Sequence, residues 1–355
     1  MEAVVNSGAW AGRRVFLTGH TGFKGGWLAL WLRRLGAQVS GYALAPEAGG
    51  FYEKAGVKAT LQAEWLADVR DREALLEAVT TAQPEVVFHL AAQPLVRASY
   101  ADPTGTFATN VMGTAHLLDA LRQQSGVRAI VAVTSDKCYR DLGAPCRETD
   151  ALGGHDPYSA SKAAAEIVAA SYAASYGLPL ATARAGNVIG GGDISTDRLV
   201  PDLLRAIDAG AAVHLRHPQA VRPWQHVMEP LAGYLRLAEK LMDDPARFGG
   251  AWNFGPAEGK GEPVRRVAER LLEQARATGT ALPALSLGDG SGVHEAGVLL
   301  LDSSKAAGQL GWQGRLSLDE ALGLTWQWHR ALRAGQDLQA LTLQQIDAYT
   351  RLQRP

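Results

Sequence analysis

An α/β fold built on a doubly wound parallel sheet, with a second, smaller, discontinuous α/β lobe, is what this sequence predicts, and three observations predict it. Short β-branched or apolar runs alternate with longer stretches of helical period. A glycine-rich turn joins the first run to the first helix. After Gly186 the rhythm breaks, and one further strand-like run returns near Trp252. Such alternation places helices on both faces of a parallel sheet. With 355 residues, 47% of them hydrophobic and 20% charged, the chain can bury a large core.

The elements follow in order. "RRVFLTG" reads as the first strand and "GGWLALWLRRLG" as the first helix, with Trp27, Leu28, Leu30, Trp31 and Leu35 on one apolar stripe. "AQVSGYAL" is the second strand, and "EVVFHLAA", "VRAIVAVTS" and "LPLATARAGN" continue the series, each after a helix-like segment. Gly and Pro punctuate "GNVIGGGD" and "HPQAVRPWQHV", where the second lobe begins, and "AWNFGP" returns to the main sheet. The expected division is residues 1–186 with 224–256 in a dinucleotide-binding unit, and 187–223 with 257–355 in the second lobe and C-terminal helices. The tail, "LTWQWHRALRAGQDLQALTLQQIDAYTRL", is helical in period with one Gly break. It packs either on the body or on a second subunit, and the sequence does not choose.

Composition narrows the function. A net charge of −1 offers no electrostatic footprint for nucleic acid or an anionic membrane. No apolar run approaches the length of a membrane span, and the N-terminus lacks the pattern of a secretory signal. Two cysteines, Cys138 and Cys146, make no disulfide framework, so a reducing, cytoplasmic setting is expected. No metal site is expected, and the partner is a small molecule.

The first chemical signal is "TGHTGFKG", Thr18 to Gly25, between a strand and a helix. Gly19 permits the tight turn, Gly22 lets a pyrophosphate approach the backbone, and Gly25 lets helix and strand come close; the helix N-terminus supplies N–H groups. The loop residues Gly19, His20, Thr21, Gly22, Phe23 and Lys24 are therefore cofactor candidates. An acid about twenty residues on would grip the adenosine ribose, yet the second strand ends "SGYALAPE" with none before Glu47 and no arginine for a 2′-phosphate. That position does not choose between NAD and NADP. Asp68, in "LADVRD", could reach an adenine amino group or could cap a helix.

The second signal is "YSASK". Four residues apart, Tyr158 and Lys162 share a helix face, so the ammonium is expected to lower the pKa of the phenol and make it a usable base, and also to hold a ribose hydroxyl. Ser135, at a strand's C-terminal end, completes a Ser, Tyr, Lys set in the crevice where such sheets bind ligands. Beside it, "SDK" sets Asp136 and Lys137 together.

These motifs carry a resemblance. "TGHTGFKG", "HLAAQ", "TNVMGTAHLLDAL" and "YSASK" resemble the extended short-chain dehydrogenase/reductases, which act on nucleotide sugars on a Rossmann sheet. "TSDKCY", "ARAGNVIGGGD", "DRLVPDLL", "RPWQHVMEPLAGYL" and "WNFGP" are similar to its branch of 4,6-dehydratases acting on CDP-glucose, over about residues 13–330. The resemblance implies NAD as cofactor, with Val69, Leu90, Ala91 and Ala92 also at it, and a homo-oligomer, dimer or tetramer. It implies that Tyr158 takes the proton from the sugar O4 as hydride leaves C4, that Ser135 hydrogen-bonds the oxygen, and that water is then lost across C5 and C6 before hydride returns to C6. Asp136 is the candidate acid for the departing hydroxyl, if burial raises its pKa. Lys137 stands where thymidine-linked relatives carry an acidic C5 base. For a lysine to take a proton near neutrality costs about 4 kcal/mol, so two roles stand open for it: neutral base, or cation beside the developing enolate. Gln93, Asn187, Arg198, Arg216, Arg222 and His294, with Glu295, are the implied substrate contacts, the arginines at the diphosphate. A 4-epimerase would use the same Tyr and Lys without needing the Asp136 and Lys137 pair, and a non-catalytic NAD-binding protein would need neither.

Overall fold

Seven strands form the main sheet of the computed structural model, which describes residue 5 and residues 7–256, 260–288 and 296–352. They are β1 (Arg14–Thr18), β2 (Gln38–Ala43), β3 (Ala63–Leu66), β4 (Val86–His89), β5 (Ala129–Val133), β6 (Leu180–Ala185) and β7 (Gly250–Phe254). Their order is β3-β2-β1-β4-β5-β6-β7, and every pairing is parallel. The chain reverses its direction of travel between β1 and β4, and that switch point opens a crevice at the strands' carboxyl ends.

Among the described residues, nine longer helices accompany the sheet: α1 (Phe23–Arg34), α2 (Arg72–Ala82), α3 (Gly113–Leu121), α4 (Pro157–Tyr176), α5 (Leu199–Ala209), α6 (Met228–Asp243), α7 (Val264–Ala277), α8 (Leu318–Arg333) and α9 (Leu338–Arg351). Alternation along the strands decides what each face meets. Val15 and Leu17 of β1 join Trp27 and Trp31 of α1 and Leu231 and Leu235 of α6 on one side. Phe16, between them, turns to the other side with Leu75 and Val79 of α2 and Leu117 and Leu121 of α3. Trp27 and Trp31 are wholly buried, and each such aromatic contributes about 2 to 3 kcal/mol of burial.

Strand β7 pairs with β6, so the run at Trp252 does return to the main sheet. Between them the chain builds α5, which packs with α7 and α8 in a separate core around Leu203, Ile207, Leu271, Leu322 and Trp326. The tail settles on its own chain. In α9, Tyr349 meets the Trp31 ring edge-on at 5.7 Å, and its hydroxyl donates to Glu229 Oε2 at 2.6 Å. Asp347 accepts from Arg34 at 3.0 Å.

Candidate active site

One cleft of about 750 Å³ runs along the carboxyl ends of the strands, within the range of small-molecule sites. Its floor begins at the turn between β1 and α1. Gly19 has a φ of +79°, and a Cβ there would lie 2.8 Å from the Ala91 nitrogen; a Cβ on Gly25 would lie 2.1 Å from the Gly19 oxygen. Only glycine allows this turn and this contact between strand and helix. A Cβ on Gly22 would meet nothing closer than 3.4 Å, so that surface is bare backbone. No side chain caps α1 at Gly22, which leaves its first N–H groups and the positive end of its dipole for an anion. A dinucleotide pyrophosphate fits this cradle.

Thr21, Gly22, Phe23 and Lys24 line the cleft, as do Asp68, Val69, Leu90, Ala91 and Ala92. His20 does not: its ring is wholly buried against Gly41, and its Nε2 lies 2.9 Å from Glu64 Oε1. Asp68 is not the cap of α2, a role taken by Asp71. Its carboxylate instead accepts from the backbone and guanidinium of Arg70 at 2.6 to 2.9 Å, contacts that hold it below the usual carboxylate range.

The candidate reacting groups gather where β5 ends. Ser135 caps a short 3-10 turn, Asp136–Cys138, with its Oγ accepting from Lys137 N at 3.2 Å and donating to Asp136 Oδ1 at 3.1 Å. This turn presents Ser135, Asp136 and Lys137 to the cleft. Opposite, α4 starts sharply: Asp156 caps it by accepting from Ser159 N, and Pro157 occupies its first turn. Tyr158 and Lys162 follow on one face, both buried and both lining the cleft. Asn110, inside a π-helical turn, ties this helix to the cofactor side by bonding both Ser161 Oγ at 2.8 Å and the Gln93 backbone.

Electrostatics here are governed by burial, and this corrects one expectation. On balance the phenol is not more acidic than a free tyrosine. Burial pushes Tyr158 up to about 12, outweighing its hydrogen bond with Ser135. Burial also pulls Lys162 down to about 8, and its Nζ donates to Val133 O at 3.2 Å, not to the phenol. Lys24 is drawn down to about 7 by burial and by the Arg198 and Lys162 charges, and its Nζ lies 3.5 Å from the Tyr234 hydroxyl. Asp136 is fully enclosed, its Oδ2 has no hydrogen-bond partner, and burial raises its pKa against the opposing pull of Lys137. A carboxyl group so placed favours its proton-bearing form.

A stability consequence follows for Asp136. Its folded-state pKa lies above the unfolded one, so the native state gains stability at acidic pH and loses it as pH rises through the folded value. Asp136→Asn is therefore expected to raise the melting temperature at pH 8 by about 1 to 3 °C, with the gain vanishing near pH 3. Thermal unfolding across that pH range checks it, and an Asn variant less stable at pH 8 would contradict it.

The three candidate arginines line the cleft. Arg222 is buried and donates to Val221 O at 2.9 Å, and its charge works to lower Asp136. Arg216 donates to Asp197 Oδ1 at 2.6 Å, Arg198 lies 3.8 Å from Asp193, and Asn187 joins them in the lining. Gln93 departs from its expected role. Its amide donates to Leu95 O and Thr106 Oγ1, both at 3.0 Å, and accepts from Leu95 N, so it braces its own loop and does not line the cleft. His294 and Glu295 lie outside the described residues.

Two features escaped the sequence reading. Lys24 stands there only as a cofactor candidate, yet its ammonium also interacts with Lys162 and Asp136; a lysine beside three glycines is the available sign. Glu166, one turn beyond Lys162, forms a buried ion pair with Arg184 at 2.8 Å. An arginine inside the small apolar run "LATARA" needed a buried partner, and "YSASKAAAE" offered one at four-residue spacing.

Comparison with known proteins agrees with this geometry. The chain is 44% identical to the CDP-glucose 4,6-dehydratase of Salmonella typhimurium, over 98% of each chain. MoeE5 in complex with UDP-glucose and NAD superposes with a TM-score of 0.75 at 26% identity, covering 90% of this chain and 99% of that one. The NAD-bound dTDP-glucose 4,6-dehydratase of Bacillus anthracis, 19% identical, shares the fold with a TM-score of 0.77 over 91% of this chain and 98% of its own. The family model described as NAD dependent epimerase/dehydratase matches residues 15–255. A bare phosphate cradle, a Tyr and Lys pair lining the same cleft and these matches lead to one conclusion: the chain belongs to the NAD-dependent epimerase/dehydratase family.

Proposed function

We propose that this chain is a nucleotide-sugar 4,6-dehydratase that converts CDP-glucose to CDP-4-keto-6-deoxyglucose and water. The carrying observation is the enclosed Asp136, whose Oδ2 has no hydrogen-bond partner among the described residues, beside Lys137 and Tyr158 in one cleft. An epimerase has no use for that pair, and the 44% identity supports cytidine as the base.

The turn at Gly19 and Gly22 and the start of α1, with Lys162, would hold NAD, which would supply hydride acceptance at C4 and hydride donation at C6. The chain's own groups do the rest. Tyr158 accepts the proton of O4, with Ser135 Oγ hydrogen-bonded to the same oxygen. Lys162 holds the ribose and keeps positive charge behind the phenol. Asp136 gives its proton to the C6 hydroxyl, which otherwise leaves poorly as hydroxide. Lys137, less buried than Asp136, acts at C5. Arg216, Arg222 and Arg198 meet the diphosphate, and Asn187 stands beside them. Incubation with CDP-, dTDP-, GDP- and UDP-glucose is expected to remove one water from the CDP-sugar first. Deuterium at C4 is expected at C6 of the product; label lost to solvent, or retained at C4, would refute the pathway.

We also propose that the chain forms a homodimer through the outer face of α4 and the neighbouring helical segment. Ile167 on α4, with Phe107 and Met112 on the neighbouring segment, is exposed, the three by 39% to 61%, and such large apolar side chains in solvent support burial by a second copy. Ile167→Glu is expected to shift the protein to monomer in light scattering; unchanged mass, or a monomeric parent, would count against it.

A further inference from the structure

Glu166 touches no reacting atom, yet it sits directly behind those that do. It follows Lys162 by four residues and Tyr158 by eight on α4, one face of the same helix. Its Oε1 accepts from Thr134 Oγ1, and its Oε2 accepts from Thr182 Oγ1 at 2.6 Å and Arg184 Nη2 at 2.8 Å. The Arg184 guanidinium reaches onward, donating to the Tyr139 hydroxyl at 2.8 Å and the Glu148 carbonyl at 3.3 Å, while Tyr139 donates to Asn253 Oδ1 at 2.6 Å. The carboxylate therefore joins α4 to β6 and to the end of β5. Successive residues of that end are gripped in turn: Val133 by Lys162, Thr134 by Glu166, and then comes Ser135.

We propose that Glu166 is a positioning residue for the dehydrogenation step: it supplies the buried counter-charge that keeps the Lys162 ammonium protonated, and it fixes the strand end that carries Ser135. A buried Glu–Arg pair adds little net stability, because desolvation cancels much of its attraction. Its charge acts instead on the group one turn away, where Glu166 opposes the effect of burial on Lys162.

The other groups around Lys162 do not take this role. Lys24 on α1 carries the same sign, and the two depress each other's protonation. His89 on β4 is pulled to about 3 and stays neutral. The Cys138 thiol, beyond β5, is pushed well up by burial and keeps its proton. Tyr158, on the same helix, keeps its proton too. Arg184, the partner from β6, extends away toward Tyr139 and Glu148. Asp136 faces Tyr158 and Lys24.

The inference rests on the reading of Lys162 given above, and its test needs no substrate. In protein labelled with 13Cε-lysine and free of NAD, the Lys162 signal is assigned by its loss in Lys162→Met and titrated by NMR. Glu166→Gln keeps the shape and removes the charge, and Lys162 is expected to lose its proton at a pH lower by about half a unit or more. The alkaline limb of kcat is expected to move down with it while KM stays within about twofold. Lys162 titrating at the parental pH in folded Glu166→Gln overturns the proposal, whatever happens to the melting temperature. If the lone Arg184 charge prevents folding, the double variant Glu166→Gln with Arg184→Met carries the same titration and the same two readings. A parent protein that does not dehydrate CDP-glucose would sink the assigned substrate, while the lysine titration would still decide the role of Glu166.

Discussion

Tyr158→Phe is expected to lower turnover by about 10² to 10⁴, the range a positioned general base supplies, and to leave NAD affinity within about threefold. The ring is buried and lines the cleft from α4, so phenylalanine keeps the packing and deletes only the hydroxyl proposed to meet O4. Since burial pushes the phenol to about 12, the parent enzyme is expected to gain kcat/KM as pH rises from 6 toward 8, when proton acceptance becomes easier and Lys162, drawn down to about 8 by burial, still holds its proton. The residual activity of the variant should lose that slope. Single-turnover absorbance of the reduced nicotinamide measures the step directly. A variant retaining more than about a tenth of parental turnover would remove Tyr158 from the position of base.

Lys137→Ala is expected to separate the reaction into its halves. Oxidation at C4 depends on Tyr158 and Ser135 and should persist, whereas water loss should slow by about 10² or more, so reduced nicotinamide should accumulate transiently. Lys137→Arg distinguishes the two roles left open for this residue. A guanidinium keeps the positive charge but does not surrender its proton. An electrostatic role therefore predicts partial recovery with Arg, and a proton-accepting role predicts none. Water loss near the parental rate in the Ala variant would contradict both.

Much of this was legible in the residues because the carrying features are local. The strand, glycine turn and helix from Arg14 to Arg34 follow from periodicity and from three glycines, two of which the backbone strictly requires. The face shared by Tyr158 and Lys162 follows from helix geometry. What escaped depends on three-dimensional surroundings. Spacing placed an ammonium near a phenol, but the balance between charge and desolvation needs the depth of both groups, and depth won at Tyr158. Gln93 lies beside the cofactor loop in sequence, yet its amide is consumed by Leu95 and Thr106, contacts invisible without the fold of the 93–106 segment. His20 was read with its loop neighbours, but the missing side chain at Gly41 on the adjacent strand gives its ring a place inside. The partner of the tail was undecidable because an amphipathic helix states that it needs cover without naming the cover.

The return of the chain from β6 to β7, its immediate neighbour, has a bearing on how new specificities could arise. The segment from Asn187 to Trp224 leaves and re-enters at adjoining points, where Gln225 pairs with Val188, so exchanging it together with the strands and helices it packs on, from Glu262 onward, need not disturb the hydrogen-bond register of the main sheet. A grafted excursion from a sister enzyme could thus retarget the machine to another activated hexose while the redox end stays as it is.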